Sequence, residues 1–203
     1  MKKKYLFKYQ LQFISILFIS NIINAQVTTV IDNINAVYGP RLLLHNDIMF
    51  YSTDTEVFNF NINETNPSPT LLIDNVNNPS GMEVKDDYLY LARFGTGDIV
   101  KLDLTQPSPS PIGVTVYGQT PNMLEFNGNY LYFTDTNGNQ IYRYDTTSSS
   151  SAAEYFLSTP YPPLGLAIKD NYLYFGVSQV GTGTIYRAAL DNPQGQLPSF
   201  LRD

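Results

Sequence analysis

One pattern occurs four times along this 203-residue chain, and it restricts the fold more than any other feature of the sequence. The clearest copy is NYLYFTDTNGNQIYRYD, residues 129–145, in which aromatic and aliphatic residues alternate on both sides of Asn137-Gly138. Alternation with a period of two indicates strands whose side chains point to opposite faces in turn. Asn and Gly both tolerate the positive φ that a tight hairpin turn needs. The stretch therefore predicts two antiparallel strands joined by a turn.

The pattern returns at a nearly constant spacing. The other copies are DIMFYSTDTEVFNFNI (residues 47–62), DYLYLARFGTGDIVKLDL (87–104) and NYLYFGVSQVGTGTIYRAAL (171–190), and successive copies are offset by 40, 42 and 42 residues. A short apolar run precedes each copy (RLLL, GMEV, MLEF, GLAI), and a further extended run follows each one. Each unit thus predicts four strands, and strand repeats of about 40–50 residues are typical of propeller blades.

The predicted fold class is therefore all-β, a β-propeller of four-stranded antiparallel blades. Four blades lie within the chain, as part of an incomplete six-bladed ring. The propeller domain covers residues 26–203, with blades at about 38–76, 78–118, 120–159 and 162–203. One column of the second strands, Leu89, Leu131 and Leu173, is expected to be buried between blades.

The closure of the ring is the least determined part of this prediction. VTTVIDNI, residues 27–34, resembles the outer run TLLIDNV of the first repeat, so we expect a strand that seals the ring. The fourth repeat already has its own outer-strand candidate at 197–202. Two alternatives stand: a propeller cut short after four blades, or a closed four-bladed ring in which residues 27–34 pair with the strand at 185–190.

The N-terminus indicates export. Residues 1–25 combine a basic start with the apolar run LQFISILFISNII and end in a small residue, which predicts a cleaved secretory signal peptide and leaves no stable membrane span. The segment holds four of the twelve basic residues, so eight remain against 18 acidic ones, a net charge of −10. That charge argues against nucleic acid as a partner, because phosphate backbones require basic patches. The expected location is periplasmic or extracellular.

The blade sequences also resemble a known superfamily. SGMEVKDDYLYLARFGTGDIVKLDL and PLGLAIKDNYLYFGVSQVGTGTIYRAAL are similar to blades of six-bladed, TolB-like propellers, which include the NHL repeats, the YWTD repeats and the gluconolactonase-like group. YLYF stands where YWTD repeats place their motif, and FTDT, residues 133–136, keeps the Thr-Asp pair. The ending of the signal segment resembles those of secreted proteins of the Bacteroidetes. The resemblance covers nearly all of residues 27–203 and implies a truncated propeller.

Few residue types that carry chemistry are present. His45 is the only histidine and there is no cysteine, so one chain holds neither a histidine-based triad nor a three-histidine zinc site. Gly95-Thr96-Gly97 and Gly181-Thr182-Gly183 are interpreted as hairpin turns, since no helix follows them to complete a phosphate loop. DTNGNQ, residues 135–140, spaces oxygen ligands as calcium loops do but lacks their acidic last residue.

One column of the inner strands carries carboxylates. The four equivalent positions read Leu43, Glu83, Glu125 and Ala167, and inner strands line the channel of a propeller. Gluconolactonase-like relatives bind a divalent cation there through Glu, Asn and Asp. The resemblance therefore implies a channel metal site at Glu83, Glu125 and Asn122 for a divalent cation such as calcium. The alternative is that each glutamate pairs with a nearby basic residue or faces water.

Three classes of function follow from the sequence. The favoured one is a secreted binding or scaffold module for a protein or carbohydrate ligand, with no cofactor and no catalytic residue assigned. The second is a divalent-metal-dependent, lactonase-like hydrolase that uses Glu83 and Glu125. The third is a non-functional fragment of a longer propeller protein. The sequence leaves open whether the chain is an enzyme, and it favours a role without catalysis.

Overall fold

The computed structural model describes residues 29–37, 41–116, 120–150 and 152–192, which contain fifteen strands and no helix. The first sheet comprises β1 (Leu42–His45), β2 (Ile48–Ser52), β3 (Val57–Asn61) and β4 (Thr70–Ile73). The second comprises β5 (Pro79–Lys85), β6 (Tyr88–Arg93), β7 (Asp98–Asp103) and β8 (Ile112–Val116). The third comprises β9 (Pro121–Asn127), β10 (Tyr130–Asp135), β11 (Gln140–Asp145) and β12 (Glu154–Ser158). The fourth comprises β13 (Pro163–Lys169), β14 (Tyr172–Gln179) and β15 (Thr182–Ala189).

Each sheet is one sequence repeat, here called blades 1 to 4, and its strands pair in chain order. All pairings are antiparallel, as the hairpin pattern predicted; in blade 3, for example, Leu131 is opposite Tyr144 on one side and Phe126 on the other. The all-β prediction is thus confirmed. The predicted outer strand of blade 4 at 197–202 and the predicted signal peptide at 1–25 lie outside the described residues. No helix capable of crossing a membrane is found in the part of the chain that is described.

Successive blades pack face to face through three apolar cores. Each core combines alternate residues from one blade with alternate residues from the next, because a strand between two blades must be apolar on both faces. Leu131 and Phe133 face blade 2, whereas Tyr130 and Tyr132 face blade 4. The predicted column of leucines is confirmed as buried: Leu89, Leu131 and Leu173 are all 0% exposed.

The inner strands approach one another closely at a repeated irregularity. Blades 2, 3 and 4 each carry a bulge in the inner strand, as between Pro79 and Met82. In blade 2 this places Gly81 against the next inner strand, where a Cβ atom on Gly81 would lie 2.2 Å from the Asn122 carbonyl oxygen. The space admits no side chain, so glycine at this position lets blades 2 and 3 meet at the channel.

The hairpin turn of blade 3 differs from the prediction in one respect. The residue with positive φ is Asn139 (53°), rather than Asn137 or Gly138. Gly97 and Gly181 have positive φ in the corresponding turns of blades 2 and 4. Gly138 is required for a different reason: a Cβ atom there would lie 2.1 Å from Oδ2 of Asp135, whose Oδ1 accepts hydrogen bonds from the backbone N–H groups of Thr120 and Gly138. Asp135 therefore fastens the turn to the connection between blades 2 and 3.

The N-terminal segment does not form the expected strand over its described part. Residues 29–37 form bends and a turn. Residues 29–34 lie along the free face of blade 1 instead of pairing with β15, and they border a cleft there together with Met49, Tyr51 and Phe60. The Val37 N–H donates to both carboxylate oxygens of Asp54, at 3.1 Å each, which anchors the end of the segment.

Candidate functional site

The inner strands bring the predicted carboxylates together. Strands β1, β5, β9 and β13 lie side by side, and their equivalent positions are held in register by the second strands: Glu83 is opposite Tyr90, and Glu125 is opposite Tyr132. Both glutamates are half-buried and border one cleft of about 300 Å³, to which all four blades contribute residues. The prediction that Glu83 and Glu125 face a common space is consistent with this arrangement.

The environment of this cleft favours a neutral carboxyl group. Burial, and secondly the charge of Glu125, raise the pKa of Glu83 to about 7. Burial also raises the pKa of Glu125, against the effect of a backbone hydrogen bond from Ile168 of blade 4. Two carboxylates that share a confined space disfavour double ionisation. The pair can therefore hold a proton near neutral pH, or attract a cation that would replace it.

Neither glutamate is neutralised by a basic residue. Ion pairs among the described residues join Arg93 to Asp98, Arg143 to Glu154 and Lys169 to Asp170. The basic partners that formed the alternative explanation for this column are thus not supplied by the described residues. Arg41 also borders this cleft, but among the described residues it forms no ion pair with either glutamate.

Asn122 is placed apart from the glutamates. It is 8% exposed and borders a second cleft, and its Nδ2 donates to Thr136 Oγ1 at 3.3 Å. Its buried Oδ1 accepts no hydrogen bond from the described part of the chain. No group of three or more His, Cys, Asp or Glu side chains suited to a metal occurs among the described residues. The structure thus supplies two carboxylates to one cleft and the amide to its neighbour, which is fewer oxygen ligands than the six to eight that Ca²⁺ takes.

The second cleft, of about 230 Å³, opens at the end of the channel where the β2–β3 turn and the connections between blades lie, and we call it the mouth cleft. Three blades line it: Arg41, Ser52, Thr53 and Asp54 from blade 1, Asn78, Pro79, Ser80 and Phe94 from blade 2, and Asn122 from blade 3. Ser52 and Ser80 are buried, and Ser80 Oγ donates to the Pro121 carbonyl oxygen at 3.0 Å. Charged, hydroxyl, amide and aromatic groups therefore converge on a small space.

The sequence held only a weak signal for the mouth cleft. Ser52 lies at the end of the second strand of blade 1, and its equivalents are Ala92, Thr134 and Gly176. Small or polar residues at this position of every blade indicate that the apolar part of the core ends there. Arg41 and Phe94 had no comparable signal, because both lie just outside a strand, at repeat positions where the other blades carry unrelated residues.

Comparisons with known proteins bear on the fold. No family model matches the sequence, and none of the curated proteins searched matches it. Solved structures do: a chain of the nidogen/laminin complex has a TM-score of 0.59 and 14% identity, over 74% of this chain and 60% of that one. The computationally designed Ika8 protein gives 0.55 and 15%, over 77% and 46%. Hydrazine synthase of Kuenenia stuttgartiensis gives 0.60 and 16%, over 77% and 48%.

These likenesses, with four successive antiparallel blades, determine the architecture. The fold is a β-propeller. Sequence identities of 14–16% establish the fold alone. This propeller chain spans between 46% and 60% of the chains it matches, so their activities do not transfer to it directly.

Proposed function

We propose that this propeller is an exported binding module whose ligand site is the mouth cleft. The observation that carries the proposal is that three blades contribute polar side chains to one small cleft at the end of the channel. Ligand pockets typically measure about 300–1,000 Å³. A cleft of about 230 Å³ therefore suits a small ligand, or one unit of a longer one.

The lining favours a neutral, hydroxylated ligand such as a sugar unit. Hydroxyl groups both donate and accept hydrogen bonds, which matches Ser52 and Thr53 as well as the donors of Arg41 and Asn78. Phe94 offers an apolar surface beside them. Asp54 and the net charge of −10 after residue 25 disfavour polyanions. Export would follow from residues 1–25. The neighbour from the nidogen/laminin complex supports a protein as the other class of partner for a propeller of this kind.

Titration calorimetry with neutral mono- and oligosaccharides tests the site. We expect at least one sugar to bind the wild type. Arg41→Ala and Phe94→Ala should weaken that binding about tenfold or more, because each removes a group that would contact the ligand. Thr105→Ala, in an exposed loop after β7, should leave binding unchanged. Absence of binding across the series, or binding that ignores both cleft substitutions, would rule out this assignment.

A metal-dependent hydrolase is the second candidate, because Glu83 and Glu125 face one cleft and the pKa of Glu83 is about 7. A carboxyl group with a pKa near the working pH suits general acid–base chemistry. A bound Ca²⁺ would lower that pKa by its charge. Calcium titration should then show heat in the wild type at pH 8 and none in Glu83→Gln, with Glu64→Gln, in an exposed loop, as the control. Equal heats in the two glutamine variants would exclude the pair as the metal site.

A further inference from the structure

The three interfaces between blades are copies of one another. We call the side of a blade that meets the next blade its forward face, and the opposite side its backward face. The forward faces of blades 2 and 3 each place two tyrosines on the second strand and an isoleucine on the third: Tyr88, Tyr90 and Ile99 in blade 2, and Tyr130, Tyr132 and Ile141 in blade 3. These side chains are covered by the leucine-rich backward face of the following blade.

Blade 4 has the same forward face, and no further blade covers it among the described residues. Its residues at these positions are Tyr172, Tyr174 and Ile185. Ile141 is 0% exposed, whereas Ile185 is 64% exposed. A further detail is repeated: the Arg187 guanidinium lies 4.7 Å from the centre of the Tyr172 ring, just as that of Arg143 lies 4.7 Å from the Tyr130 ring. The forward face of blade 4 thus has the residues that form one half of the repeated interface in blades 2 and 3.

Blade 1 carries the other half. Its backward face has apolar residues at every position that packs in the later blades: Leu42, Leu44, Met49, Tyr51, Phe58 and Phe60. Leu42 is 64% exposed, although its equivalents Met82 and Leu124 are 7% and 5% exposed. Residues 29–34 lie on this face, but a cleft of about 450 Å³ remains between them and the sheet. The face is therefore occupied without being packed as the internal interfaces are.

We propose that a second copy of this chain docks the forward face of its blade 4 onto the backward face of blade 1. Tyr172, Tyr174 and Ile185 of one copy would cover Leu42 and Met49 of the other, as blades 2 and 3 cover their successors. The occupant is a second copy because these two faces are the two halves of the interface that the described blades build three times among themselves. This association goes beyond ligand binding at the mouth cleft, and the docking faces contain no side chain that lines that cleft. Arg41 of the mouth cleft is the sequence neighbour of Leu42.

The contact is heterologous, since the two copies contribute different surfaces, and each copy keeps one free half of the interface. Residues 29–34 compete for the docking face, so they must leave it when the second copy binds. The structure therefore implies two opposite effects: substitutions in the docking faces weaken association, whereas substitutions that detach the N-terminal segment strengthen it.

Sedimentation velocity on mixed variants tests the first effect. Wild type is expected to form species larger than a monomer as its concentration rises. Ile185→Asp and Leu42→Asp should each stay monomeric alone, because each lacks one half of the contact. Mixed together they should form dimers and nothing larger, because one intact pair of faces remains. Val180→Asp, at a fully exposed turn position outside both faces, should behave as the wild type.

The N-terminal segment supplies the second test. The double variant Ile31→Ser and Ile34→Ser removes the two half-buried side chains of the segment and should associate at about tenfold lower concentration than wild type. A wild type that stays monomeric at every concentration, or two face variants that fail to complement, would overturn the proposal. Association that resists both aspartate substitutions would equally overturn it, by placing the contact elsewhere. The test of sugar binding at the mouth cleft is independent of these measurements, so the docking proposal and the proposed function can fail separately.

Discussion

At the scale of single residues, the most informative group is the Glu83 carboxyl. Its pKa is about 7 in the folded chain because burial and the charge of Glu125 disfavour ionisation, against an ordinary value of 4.5. The folded state therefore holds this proton more tightly than the unfolded state between those two values. Its stabilising effect is complete below about pH 4.5 and is lost as the pH rises through 7. The channel thus carries a destabilising charge at alkaline pH.

Glu83→Gln should remove this dependence, since glutamine stays neutral in the same space. We expect the melting temperature of wild type to fall relative to that of Glu83→Gln between pH 5 and pH 8. Glu125→Gln should act in the same direction, because it removes the charge that contributes to the raised pKa of Glu83. Glu64→Gln serves as the control in an exposed loop. Parallel melting curves for wild type and Glu83→Gln across this range would refute the account of the cleft.

At the scale of secondary-structure elements, the sequence predicted strands well where two signals agreed. In 129–145 the alternation and the turn residues both indicate a hairpin, and β10 and β11 form with every expected side chain on its expected face. The turn itself was less predictable: the positive φ falls at Asn139, and Asp135 accepts hydrogen bonds both from Gly138 in the turn and from Thr120, fifteen positions earlier. Local pattern does not contain that contact.

The N-terminal segment shows why the remaining elements were harder to predict. VTTVIDNI has the alternation of a strand, yet residues 29–34 lie on the free face of blade 1 instead. Alternation indicates that one side of a segment is apolar, and an apolar side can be buried against a sheet face as well as beside an edge. The candidate site has the same limitation. The column of Glu83 and Glu125 was visible as a repeat position, whereas Arg41 and Phe94 line the mouth cleft from repeat positions at which the other blades carry unrelated residues.

At the scale of the whole molecule, stability depends on how many neighbouring blades each blade has. Repeat architectures gain stability from contacts between neighbouring units, so a unit with two neighbours contributes more than one with a single neighbour. The described residues form three apolar cores, each between blades that are successive in sequence. Equivalent residues in a central and a terminal blade should therefore differ in energetic weight although they share one sequence pattern.

Ile141 and Ile185 provide a matched pair for this prediction, because the residue type and the position in the third strand are the same. Ile141→Ala should lower the free energy of unfolding by about 2–5 kcal/mol, the range for emptying a packed core position. Ile185→Ala, at a position 64% exposed, should lower it by about 1 kcal/mol or less in dilute solution. Urea denaturation at several protein concentrations measures both.

If copies associate through blade 4, the loss of unfolding free energy caused by Ile185→Ala must grow with protein concentration, while that caused by Ile141→Ala does not. Equal costs in dilute solution would mean that blade 4 is already covered within one chain, and the docking of a second copy there would have to be abandoned.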